Sequence, residues 1–125
     1  MRDNKHIVIY FSSSVEIDAE VKALFEQRAD LLLAASINEV ESVFVEHKEE
    51  IAVLAVDLRN EPGHGRQKLD LVQENLELRQ LPLLTICSHN NTAEFTVAMN
   101  HDAQIIDVPV DEAAFTRRYN RVCKC

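Results

Sequence analysis

Ile51-Ala52-Val53-Leu54-Ala55-Val56-Asp57 is the most informative segment of the chain. Six apolar residues run unbroken into one carboxylate. Leu58-Arg59-Asn60-Glu61-Pro62-Gly63-His64-Gly65 then follows as a loop that holds both of the chain's glycines. A short apolar run rich in Val and Ile, closed by turn residues, reads as a strand buried on both faces. Such a strand belongs in the middle of a parallel sheet. Asp57 then stands at its carboxyl end, where open α/β sheets place their sites. A plainer role for Asp57 is to cap the strand or the loop, as Asp often does. The pattern on either side favours a site.

Working outward, the same alternation recurs. Before the central strand come a first strand, Ile7 to Phe11, and a second, Leu31 to Ala35. Ser13 and Glu16 make a capping-box pattern ahead of a helix from Val15 to Ala29, with Ile17, Val21, Leu24 and Phe25 at helical spacing. Ser36 and Glu39 repeat the box for a second helix, whose inner face is Ile37, Val40, Val43 and Phe44. After Gly65 a third helix is expected from Arg66 to Leu78, with Leu69, Val72 and Leu76 facing in. Leu83 to Cys87 reads as strand four and Gln104 to Asp107 as strand five. Between them a short helix, Thr92 to Met99, turns Phe95, Ala98 and Met99 inward. A last helix, Asp111 to Cys123, carries Phe115, Tyr119 and Val122. Alternating short strands and amphipathic helices imply right-handed crossovers and a parallel sheet.

The bulk numbers agree with a single domain covering 1–125. The chain has 125 residues, 46% of them apolar, enough for a core and too many for a disordered chain. Its end directly after a helix also fits the N-terminal part of a longer protein. The net charge of −8 argues against nucleic-acid and anionic-membrane surfaces, which call for clustered Lys and Arg. No apolar run has the length of a membrane span or of a secretory h-region. Three cysteines without framework spacing point to a reducing, cytoplasmic setting.

The expected sheet brings Phe11 and Ser12, Asp57, Cys87 and Ser88, and Val108 with Pro109 to one edge. With these residues in place, the chain resembles the receiver domain of two-component response regulators (CheY-like) over nearly its full length. The resemblance rests on several features read together. They are Lys5-x-Ile-Val-Ile, Ala34-Ala35-Ser36, Val56-Asp57-Leu58-Arg59 with Gly65 eight residues beyond the aspartate, Leu81-Pro82-Leu83-Leu84, and one residue before Pro109. It implies a flavodoxin-like, doubly wound (βα)5 sandwich with a five-stranded parallel sheet in the order 2-1-3-4-5.

It also implies a chemistry: phosphoryl transfer from a histidine kinase to the aspartate ending strand three, helped by Mg²⁺. Carried across, Asp57 stands at the phosphoacceptor position and Cys87 in place of a Ser or Thr. Val108 replaces a Lys, Ile105 replaces an aromatic, and Phe11 and Ser12 replace the acidic pair that helps hold the metal. Asn60-Glu61-Pro62 departs from the usual Met-Pro. With Asp57 and Ser12 alone, the Mg²⁺ site is weak or absent, because hard divalent cations need several oxygen ligands. With Val108 in place of an ammonium, no cation is expected beside the phosphoryl position, at a cost of about 1.5–3 kcal/mol. The expectation is a degenerate receiver, not an enzyme, that acts by protein contacts. A fully phosphorylatable receiver is the alternative.

Other chemistry is less well supported by the residues. The Ser12-Ser13-Ser14 loop could cradle a flavin phosphate, yet it has no glycine, and Glu16 and Asp18 would repel the phosphate. His64, His89 and His101 share no metal-ligand spacing with Cys87, which reads as a buried thiol. Cys123 and Cys125, two apart on a helix, are expected to stay unpaired within the chain. The resemblance names a sensor kinase or an effector domain as partner. It also suggests a homodimer through Thr92–Asn100 and Asp111–Arg121, with Arg117, Arg118 and Arg121 against Asp102, Asp107, Asp111 and Glu112. The resemblance further implies a cis Val108-Pro109 bond, which the small trans preference of X-Pro allows.

Overall fold

The computed structural model describes residues 6–12, 16–59 and 62–123. Strands β1 (Ile7–Phe11), β2 (Asp30–Ala34), β3 (Ile51–Asp57), β4 (Leu83–Ser88) and β5 (Gln104–Val108) alternate with five helices. These are α1 (Ala19–Glu26), α2 (Ile37–Glu46), α3 (Pro62–Glu74), α4 (Thr92–Asn100) and α5 (Glu112–Val122). The strands are parallel, as the alternation predicts, and lie in the order β2-β1-β3-β4-β5 that the resemblance implies.

β3 is central, and every one of its residues is buried. Its side chains alternate between two cores, one on each face of the sheet. Leu54 and Val56 pack with Phe11, Val40, Phe44, Leu58, Leu69 and Ala98 on the α2/α3/α4 face. Val53 and Ala55 pack with Tyr10, Val21, Phe25, Ile86, Phe115 and Tyr119 on the α1/α5 face. There the Phe25 and Phe115 rings meet edge to face at 5.0 Å.

Side-chain caps set the helix starts. Ser36 accepts from the Glu39 N–H at 3.2 Å, as the second capping box predicts. α1 begins later than expected, because Asp18 is its N-cap and accepts from Glu20 and Val21 N–H. Glu16 and Asp18 are therefore outside the helix, and the Ser13 side of the first box lies outside the described residues. α3 begins earlier than expected, at Pro62, a residue whose fixed φ suits a first helical position. It ends at Glu74, so the helical period does not carry Leu76 inward, and Leu76 is 65% exposed. In α4 Glu94 and Ala98 are buried and Phe95 packs half-buried against the core, as expected for Phe95 and Ala98. Met99 is one step further round and is exposed, against expectation. Val108-Pro109 is cis, as expected. Cys123 is disulfide-bonded, which corrects the unpaired reading on its side; Cys125 lies outside the described residues.

Candidate functional site

Asp57 ends β3 and is only 1% exposed. Strand parity sends its side chain toward the α1/α5 face, with Val53 and Ala55. Tyr10 on β1 leans the same way, and its hydroxyl donates to Asp57 Oδ2 at 2.7 Å. The chain then turns. Arg59 N–H donates to Asp57 Oδ1 at 2.9 Å, a side-chain-closed turn of the kind Asp favours. The Arg59 guanidinium folds back on the same carboxylate. Nε lies 3.1 Å from both oxygens and Nη2 is 2.8 Å from Oδ2.

A carboxylate has about four lone-pair positions. The Tyr10 hydroxyl and the Arg59 N–H, Nε and Nη2 supply four donors. Burial works against the Arg59 cation, but the bonds and charge of Asp57 outweigh it and raise its pKa. Burial first, then the Asp57 charge, pushes the Tyr10 phenol far above its ordinary range. Arg59 also donates from Nη2 to the Glu16 carbonyl, which ties the site to the entry of α1.

A second cation comes from α3. Lys68 is 4% exposed. Its Nζ donates to the Asp57 carbonyl at 3.3 Å and lies 5.9 Å from the centre of the Phe11 ring. Two cations thus stand beside Asp57, Arg59 on its carboxylate and Lys68 on its main-chain carbonyl. Val108 supplies none, but Arg59 and Lys68 arrive from the β3–α3 turn and from α3.

Cys87 sits one strand away on the opposite face, packed with Leu58, Leu69 and Ala98. Burial pushes its thiol up to about 12. Ser88, next in sequence, belongs to another network. Its N–H donates to Oε1 of Glu94, and its hydroxyl lies 3.5 Å from Oε2. Glu94 is fully buried, and Asn91 accepts from its N–H at 3.0 Å. Val108 packs against the α1/α5 core, and Ile105 against the other. Ser12 donates its N–H to the Ala34 carbonyl. His89 and His101 go separate ways, to Asp107 at 2.9 Å and to Asp70 at 3.0 Å. The His64 side chain lies outside those described.

Sequence reasoning missed Tyr10, Arg59, Lys68 and Glu94. Two of them carried a readable signal: Arg59 is two residues past a turn-forming Asp, and Lys68 is four before the inward Val72.

No family model and no curated protein matches this chain. Solved structures do. A response regulator receiver protein from Pseudomonas putida has a TM-score of 0.70 at 16% identity, covering 97% of this chain and 99% of its own. A signal receiver domain from Clostridium thermocellum gives 0.71 at 15%, with 96% and 98% covered. The chemotaxis protein CheY4 of Vibrio cholerae gives 0.68 at 17%, with 94% and 98% covered. What these identities carry is architecture: the chain has the fold of response regulator receiver domains.

Proposed function

We propose that this chain is an atypical receiver-type signalling domain that acts by contact with other proteins and is not turned over as an enzyme. Asp57 stands where a receiver accepts its phosphoryl group, but it is not run through the Mg²⁺-dependent cycle. The observation that carries this reading is the closure of the Asp57 carboxylate by Tyr10 and Arg59. An in-line attack on phosphorus needs a carboxylate oxygen with a free lone pair facing the donor. Here such an oxygen must first shed a buried, charge-assisted bond.

The residues present do not fit Mg²⁺. The ion asks for octahedral oxygen ligands, and Phe11 and Ser12 offer no carboxylate. The remaining carboxylate already faces a guanidinium. Arg59 supplies internally the positive charge a metal would bring. A sensor kinase or an effector domain is the class of partner. A homodimer through α4 and α5 is a second route, although Arg118 there is committed within its own chain, to the Ile105 carbonyl at 2.8 Å and near Asp107. No helix among the described residues is long and apolar enough to cross a membrane. The proposed setting is the cytoplasm.

Intact mass after incubation with acetyl phosphate and MgCl₂ tests the reading. The wild-type chain and Asp57→Asn are both expected to stay unmodified. A phosphoryl adduct on the wild type that is lost in Asp57→Asn overturns it and makes the domain an ordinary phosphorylatable receiver.

A further inference from the structure

The acidic charge is not spread evenly. Residues 16–50, which build α1, β2 and α2, hold ten acidic and three basic side chains, a net −7 of the chain's −8. They flank the β2 edge of the sheet, α1 on one face and α2 on the other, because β2 is paired only with β1. Among the described residues, no ion pair engages the carboxylates of Glu16, Glu20, Glu26 and Glu46.

The same side leaves an apolar side chain uncovered. Leu33 stands opposite Tyr10 in register and is 61% exposed. Leu31, two residues earlier on the same face, packs against the α1/α5 core. α1 begins only at Ala19, so its cover stops short of Leu33. Leu33 instead lines a cleft of about 570 Å³ at the carboxyl ends of β1 and β2, with Tyr10, Glu16, Ile17, Lys22 and Glu39. Tyr10 here is the donor to Asp57, and the Glu16 carbonyl is the one held by Arg59. The cleft therefore adjoins the closed carboxylate.

A cleft of this size, apolar with a few polar groups, suits a protruding side chain. At its rim the carboxylates of Glu16 and Glu39 outnumber the single Lys22, within a segment of net −7, which favours a positive partner over polyanions such as nucleic acid and anionic lipid. We propose that the α1–β2–α2 side is a docking surface for a basic protein segment. One apolar side chain of that segment enters the cleft against Leu33 and Ile17, and its lysines or arginines meet the acidic rim. This names the partner chemistry of the interaction module proposed above and rests on that reading.

The test is a titration of the ¹⁵N-labelled chain with a synthetic peptide of alternating lysine and leucine, followed by amide chemical shifts. Shifts centred on Ile17, Leu33 and Ala35 are expected, with affinity falling several-fold as salt rises from about 50 to about 300 mM. Leu33→Ser, at an exposed position, should bind roughly tenfold more weakly. Met99→Ser on α4 should bind like the wild type. A glutamate–leucine peptide that binds equally well overturns the proposal. So do shifts centred on α4 and α5, or unchanged binding by Leu33→Ser. The adduct measured by mass can appear or fail independently of this binding, so the two readings fall separately.

Discussion

The carboxyl edge of the sheet buries two carboxylates, and its two halves hold them differently. On the β1–β3 half, Asp57 is gripped by a guanidinium and a phenol. On the β4–β5 half, Glu94 accepts the N–H of Ser88, at the end of β4, and draws its hydroxyl close. The first carboxylate faces α1 and the second belongs to α4. Cys87 lies between them but packs on the face away from the Asp57 side chain. The difference teaches that a shared edge does not make a shared site. Parity and partner choice have split it into two networks, and Asp57 is wired toward α1 through Arg59 and Glu16.

Arg59→Ala attacks the first network hardest. It leaves Asp57 buried without its cation, and breaking a buried pair from one side costs about 3–5 kcal/mol. Urea unfolding near neutral pH should show that loss, and adding Asp57→Asn should return most of it. A loss below about 1 kcal/mol would mean the grip on Asp57 is not electrostatic.

Tyr10→Phe removes one donor and should cost about 1.5–3 kcal/mol, as bonds to charged groups do. It also has a pH signature. The folded phenol binds its proton more tightly than the unfolded one. Its contribution is complete below the unfolded pKa of about 10 and drains away as pH rises above that value. Unfolding midpoints followed from pH 8 to 11 should fall more steeply for the wild type than for Tyr10→Phe.

The smallest effect belongs to Cys87. Held near 12 by burial, its thiol should resist a disulfide-exchange reagent at pH 8 in the folded chain and react only on unfolding. Cys87→Thr should leave the first network intact and the chain still without a phosphoryl adduct. An adduct appearing in that variant would join the two networks that the structure separates.

Much of the architecture was legible because burial writes itself as periodicity. The unbroken apolar runs of β3 and β1 and the helical spacing of Val40 with Phe44 each point to burial of a definite kind. Element ends were less legible. The box of Ser13 and Glu16 sets an early start for α1, and only the fold shows that Asp18 caps it. Leu76 and Met99 fit an inward period, yet one falls beyond its helix and the other sits one step off its buried stripe.

Residue pattern alone specifies the alternation, the parallel sense of the strands and the place of Asp57 at the end of β3. Those follow from hydrophobic period and crossover handedness, which are local or nearly so. Only the tertiary structure decided what Asp57 meets. Tyr10 is 47 residues away, and the Glu16 carbonyl 43 residues from Arg59. Bonds across such separations depend on strand register and side-chain direction, which no local spacing encodes. The absence of a family cation at Val108 could be read from the chain, whereas the arrival of Arg59 and Lys68 required the fold.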